Sequence, residues 1–200
     1  MDPEVGRLIE EAYRVFGRYS LGESVAVAER EGRIGPLEAR LVVLTPIREI
    51  PAEIIARYIE SQITGALGLS ETAVKALLPR LFELIAGEDA GDAVTPLLTR
   101  LLSRSVGSRG WPAAETGLVD RFLAALFVLK RRAGGNPVTV LDLVAAAGAD
   151  TAPLIEAWIA DEGVQAVEAR LSSSLPATGI PGRPWLAAAH ARLVARGGAA

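Results

Sequence analysis

Arg48 and Glu49 stand side by side between two prolines, in Thr45-Pro46-Ile47-Arg48-Glu49-Ile50-Pro51. Opposite charges held in a rigid turn and flanked by isoleucines need partners, because an unpaired buried charge is costly. Either the pair bonds neighbouring backbone and locks the turn, or it lines a site. A second island is Leu78-Pro79-Arg80-Leu81-Phe82-Glu83-Leu84, in which Arg80 and Glu83 are i, i+3 neighbours on a helix face. Pro79 removes one helical hydrogen bond, and Arg80 is a donor for the carbonyl so freed. If the two islands converge, the arginines bind an anion and a glutamate serves as acid or base, with Tyr58 as a further polar group. Arg48, Glu49, Tyr58, Arg80 and Glu83 are therefore the candidate ligand or anion set.

Two more islands point to architecture. Trp111-Pro112-Ala113-Ala114-Glu115 has a tryptophan where a hydrophobic staple stands and an acid in the first helical turn, where it meets the helix dipole. Gly87-Glu88-Asp89-Ala90-Gly91-Asp92 places three acids in a glycine-bearing loop. Their spacing is not that of a calcium loop, so a solvated loop and a helix cap are expected.

The absences close several chemistries. There is no cysteine, which excludes disulfides, thiolate nucleophiles, zinc–cysteine sites and iron–sulfur clusters. The single histidine, His190, cannot build a histidine metal site and has no GxSxG nucleophile before it. No phosphate-cradling GxxxxGK[ST], no GxGxxG, no HExxH and no EF-hand loop is present. No catalytic residue, metal ligand or cofactor is therefore assigned from sequence. A net charge of −3 offers no global attraction to nucleic acid or anionic lipid. The basic residues Arg100, Arg104, Arg109, Lys130, Arg131 and Arg132 lack interleaved aromatics, so they read as a solvated face. The chain has two lysines against 19 arginines, a bias read as codon usage.

The elements that must position these residues read as helical almost throughout. At 200 residues, half of them hydrophobic and with a mean hydropathy of +0.30, the chain is long and apolar enough to bury its own core. Asp2-Pro3-Glu4 starts a helix whose Val5, Leu8, Ile9, Ala12 and Phe16 follow i, i+3, i+4 spacing. Residues 20–34 are ambiguous, because Val25 and Val27 alternate with small residues, and they read as a connection with one extended piece. Pro36 and Pro51 open helices, and Ser70 caps another that Pro79 should kink or split. Asp92 caps the next. The longest helix runs from Trp111-Pro112 to about Arg132 and is apolar on most of its circumference, which makes it the expected central rod. Thr139 and Thr151 cap further helices, the second continuing through Val164, Val167 and Leu171 to about Ser173. The spacing thus predicts an all-α fold, an irregular bundle of about ten helices over residues 1–174. A Ser/Gly/Pro-rich linker over 175–184 then tethers an amphipathic helix and tail over 185–200. Trp185, Leu186, Ala189 and Leu193 are that helix's candidate partner-binding anchors.

Four of these segments in this order resemble a family of uncharacterised bacterial helical proteins. Thr45–Glu49 is similar to its TPLRE-like segment, Leu78–Leu84 to its LPRxxEL-like segment and Trp111–Glu115 to its WPxxE-like helix start. A short helix at Val140–Val144 and a helix bearing Trp158 then follow. The resemblance covers roughly residues 10–172. Relatives often have cysteines in the stretch matching Val25–Glu31; this chain has none, so no thiol or metal role carries over. The resemblance implies a bacterial, cytoplasmic, helical protein and brings no activity with it.

The longest apolar run, Phe122–Leu129, is far short of the ~20 residues that span a bilayer. The opening MDPEVGRLIEE has acids where a secretory leader has positive charge. A cytoplasmic protein without membrane contact is expected. A protein-interaction or scaffold module, with a protein partner or self-association, is the first functional expectation. A small-ligand binder or enzyme using the Arg/Glu groups is the alternative, and a nucleic-acid-associated protein is the third.

Overall fold

A computed structural model describes residues 2–63, 69–87, 91–105, 110–174 and 183–197. Among them are eleven α-helices, one 3-10 turn and no strand, so the all-α expectation holds. In chain order the helices are α1 (Pro3–Phe16), α2 (Gly22–Arg30), α3 (Pro36–Leu44), α4 (Ala52–Ile63), α5 (Glu71–Ala86), α6 (Gly91–Ser105), α7 (Ala113–Arg132), α8 (Pro137–Ala146), α9 (Ala152–Glu162), α10 (Val164–Ser174) and α11 (Pro184–Gly197). The 3-10 turn is Ile47–Glu49. No described helix is long and apolar enough to cross a membrane.

Capping chemistry sets many of the boundaries. The Asp2 carboxylate accepts from the backbone N–H groups of Glu4 and Val5, and the Ser70 hydroxyl accepts from Ala73. Pro36 and Pro137 occupy first-turn positions whose missing N–H costs nothing. Helix α7 is the longest, and its Leu118, Val119, Phe122, Leu123, Leu126 and Phe127 are buried. It packs on α1 and α8, while α5 packs on α1 and α6. At the centre the rings of Phe82 and Phe122 stack face to face at 3.9 Å between centroids. Each such fully buried side chain contributes roughly 1.5–3 kcal/mol.

The structure corrects the sequence reading at several points. Residues 22–30 form a helix and not an extended piece; only Val25 and Ala28 are buried on it, so its apolar stripe is too narrow to stand out. Pro79 does not split α5, which runs unbroken from Glu71 to Ala86 around it. The expected single helix from Thr151 to Ser173 is two, because Gly163 adopts φ +84°, a left-handed conformation that a helix cannot contain. Asn136, not Thr139, caps α8: its side-chain oxygen accepts from the Val138 N–H at 3.0 Å. Thr151 holds the N-cap position of α9 without a side-chain bond, and the Asp150 carboxylate accepts from the Ala152 N–H instead. Residues 88–90, the side chain of Asp92, Arg109 and residues 175–182 lie outside the described residues, so the acidic loop and most of the linker are not seen.

Candidate functional site

The strands of chemistry meet around the C-terminal end of α1. Tyr13 on α1 donates its phenolic O–H to Glu83 Oε2 on α5 at 2.9 Å. Arg80 Nη1, one turn before, donates to the same Glu83 oxygen at 2.8 Å, and Arg48 Nε donates to Glu83 Oε1 at 3.3 Å. Arg48 also pairs with Glu10 on α1 and lies over the Tyr13 ring, 4.4 Å from its centroid. Three sequence-named residues, Arg48, Arg80 and Glu83, therefore converge. Tyr13 and Glu10 join them, and sequence reading missed both because they sat within an ordinary amphipathic helix.

The other two named residues do not join. Glu49 is exposed on the 3-10 turn, with no partner among the described residues. Tyr58 is buried on α4 and donates to Ser24 Oγ at 2.8 Å, away from the arginines. The expectation that Arg48 and Glu49 lock their own turn is also corrected. Arg80 does this from α5, donating through Nε and Nη2 to the Ile50 carbonyl at 3.3 and 3.2 Å.

A second ion cluster was not foreseen. Glu115, in the first turn of α7, is 1% exposed, and Lys75 on α5 is 4% exposed. Lys75 Nζ lies 2.9 Å from Glu115 Oε2 and 2.6 Å from Glu71 Oε1. Tyr19 donates its O–H to Glu115 Oε1 at 2.7 Å, and Arg18 reaches the same oxygen. The ammonium also faces the Trp111 ring at 4.5 Å, a favourable approach of a cation to an aromatic face. Trp111 thus does more than staple a helix start: it walls in the charge and packs edge-on against Phe16. The sequence signal was present in the glutamate's place in the first turn, but nothing local connects it with a lysine 40 positions earlier.

Both glutamates stay ionised. Burial pushes the Glu115 carboxyl up, but hydrogen bonds from Tyr19, Lys75 and Arg18 outweigh it and hold the group below its ordinary range. Burial likewise opposes ionisation of Glu83, and the bonds from Arg80, Tyr13 and Arg48 prevail there. Burial also works against the Lys75 ammonium, yet Glu71 and Glu115 keep its pKa above the ordinary lysine value. Tyr13 is held protonated by burial first and by its bond to Glu83 second.

Between the two clusters lies a cavity of about 320 Å3. The side chains of Tyr13, Phe16, Tyr19, Val42, Ile47 and Pro79 supply most of its walls, and no charged residue lines it. A second cavity, of about 310 Å3, shares Ser20 with the first and is lined by Glu23, Ser24, Val27, Gln62, Ser70 and Thr72. No group of three or more His, Asp or Glu side chains suited to a metal ion occurs among the described residues.

The terminal helix is packed on its own chain. Trp185, Ala189 and Leu193 are buried, Leu186 is partly buried, and α11 rests on α9 and α10. Trp185 Nε1 and Arg183 Nη2 both donate to the Asp142 carboxylate of α8, at 3.0 and 2.6 Å. The four partner-binding anchors are thus spent within the fold, while His190 is exposed on the same helix. Apolar side chains are instead displayed on α3. Leu37, Leu41 and Leu44, at i, i+4 and i+7, are 83%, 39% and 68% exposed, and Val43 beside them is also exposed. Sequence reading marked this helix only by its Pro36 start and named none of these side chains. Of the basic residues grouped earlier, Arg131 is nearly buried and pairs with Asp161 and Glu162. No family model, curated protein or solved structure matches this chain.

Proposed function

We propose that this chain is a protein-interaction or scaffold module whose docking element is helix α3. The observation that carries the reading is the leucine stripe Leu37, Leu41 and Leu44, which faces solvent on a helix packed against α2 and α4 alone to any extent. A contiguous apolar patch of this kind on a folded domain marks a contact surface. The charged clusters agree with a module that does no chemistry. Arg48, Arg80, Glu83, Lys75 and Glu115 are engaged with one another, and no free acid, base or nucleophile stands among them. The kinship with bacterial helical proteins belongs to the same proposal, as does a cytoplasmic location, which cell fractionation checks.

The partner we assign is a second copy of the chain. A short apolar stripe is self-complementary about a two-fold axis, the commonest symmetry of soluble oligomers. Leu41 lies near the stripe's middle and so near the axis. Sedimentation velocity across a concentration series is expected to show reversible dimerisation, and Leu41→Glu is expected to abolish it while leaving the helical circular dichroism unchanged. A chain that sediments as a monomer at every concentration overturns the reading.

A further inference from the structure

We propose that the two cavities, whose linings share Ser20, form one bipartite site for a small amphipathic amine, with an aromatic or short alkyl group in the first cavity and the ammonium in the second. The inference does not use the leucine stripe of α3, whose Leu37, Leu41 and Leu44 line neither cavity, although Val42 and Val43 of that helix line the first.

The first cavity is preformed. Its two tyrosine walls cannot swing aside without breaking hydrogen bonds to ionised carboxylates, Tyr13 to Glu83 and Tyr19 to Glu115. Both hydroxyls are thereby turned to partners, and the rings remain as apolar walls alongside Phe16, Val42, Ile47 and Pro79. About 320 Å3 falls at the small end of the roughly 300–1,000 Å3 range of small-molecule pockets. This suits one ring or a short chain. With no charged residue in the lining, nothing there pairs with an ion. The part of the ligand that enters must be uncharged.

The second cavity has the opposite character. It is lined by hydroxyl groups of Ser20, Ser24, Ser70 and Thr72 and by one carboxylate, Glu23. Ser24 Oγ accepts from the buried Tyr58, which positions it, and keeps a second lone pair with which to accept from an ammonium. Glu23 has no ion-pair partner among the described residues. Of the neighbouring cations, Lys75 is committed to Glu71 and Glu115, and Arg33, which donates to Gln62 in the cavity wall, pairs with Glu31. The cavity thus offers the unpaired Glu23 carboxylate and hydrogen-bonding oxygens, and the cation at its wall is already answered by Glu31. An ammonium is the head group that pairs with Glu23 and donates to the hydroxyl oxygens. Ser20, which lines both cavities, marks where the two parts of the ligand would meet.

The test uses the full chain and three probes with the same ring: 2-phenylethylamine, 2-phenylethanol and phenylacetate. Backbone-amide NMR titration follows residues 20–24, Thr45 and Ile47. The amine is expected to produce saturable shifts there, the alcohol to bind about fivefold more weakly, the worth of one exposed ion pair, and phenylacetate to bind weakest of the three. Glu23→Gln, at an exposed position where folding is not at stake, is expected to reduce the amine to the alcohol's affinity and leave the alcohol unchanged. Ala76→Phe, which fills the first cavity, is expected to abolish all binding. Should that variant fail to fold, Tyr58→Phe replaces it and is expected to weaken the amine and alcohol alike. No saturable shift from the amine, equal binding of phenylacetate and amine, shifts centred outside these residues, or an amine affinity indifferent to Glu23→Gln would each overturn the proposal.

Discussion

The two ion clusters are built to one pattern and differ in depth. In each, a tyrosine of the α1–α2 region donates its hydroxyl to a glutamate, and two cations complete the set. Tyr13, Glu83, Arg48 and Arg80 make the outer one, with Arg48 45% exposed. Tyr19, Glu115, Lys75 and Arg18 make the inner one, where glutamate and lysine are almost wholly enclosed. The outer cluster joins a turn to a helix by groups that water can reach. The inner one ties α5 to α7 and to the turn after α1 at a depth where a lone charge cannot be tolerated. Identical residue types therefore carry different structural weight according to what surrounds them.

The contrast is most sharply tested by removing one inner partner. Lys75→Met leaves the Glu115 carboxylate buried with fewer donors and is expected to cost about 3 kcal/mol, read as a shifted urea midpoint with unchanged slope. Replacing the pair together, Lys75→Met with Glu115→Leu, is expected to recover most of that loss, because a packed apolar pair needs no compensation. If the double variant is no more stable than the single one, the penalty arises from packing around Trp111 and not from the charge.

Acid titration separates the clusters next. Glu115 and Glu83 both have pKa values depressed below the ordinary 4.5. Between the depressed native value and 4.5 the unfolded chain binds the proton and the native one does not, so the native advantage is whole above about pH 4.5 and drains away as pH falls through the native value. Glu115→Gln is expected to flatten this acid limb of the stability curve more than Glu83→Gln. Equal flattening in urea melts across the acid range would erase the distinction of depth. The tyrosines give a smaller effect in the same sense. Tyr19→Phe removes one donor from an enclosed carboxylate and is expected to cost about 1.5 kcal/mol, against under about 1 kcal/mol for Tyr13→Phe, whose Glu83 keeps two arginines and some water.

Legibility from sequence follows the same line of depth and distance. Local signals gave most helices: Asp2, Ser70 and the first-turn prolines mark starts, and the apolar circumference of α7 identifies the central rod. Where the signal is thin, reading failed. Helix α2 buries only two of its residues, and Gly163 breaks an otherwise continuous pattern through a single backbone angle. Arg80–Glu83 was visible because the partners are one turn apart. Lys75–Glu115 and Arg48–Glu10 were not, since nothing in a linear chain reports that α5 meets α7 or that the turn meets α1. The exposed leucines of α3 were hidden for a different reason: composition says that a residue is apolar, and only the fold says that nothing covers it.

The smallest effect is expected at Arg48, in the turn between Pro46 and Pro51. Arg48 makes two ion pairs and covers the Tyr13 ring, which by inventory alone would make it the strongest anchor of the outer cluster. Its partner Glu10 is more exposed still, and water competes for both ends of the bond. The turn itself is held by Arg80 through the Ile50 carbonyl, a bond that does not depend on Arg48. Arg48→Met keeps most of the aliphatic contact with Tyr13 and loses only screened charge. The expected cost is about 0.5 kcal/mol or less, shrinking further in high salt, while the cost of Lys75→Met stays nearly constant over the same salt series. Should Arg48→Met cost as much as Lys75→Met, with no response to salt, then exposure does not decide the worth of these clusters, and the Tyr13 side of the cavity is as firmly built as the Tyr19 side.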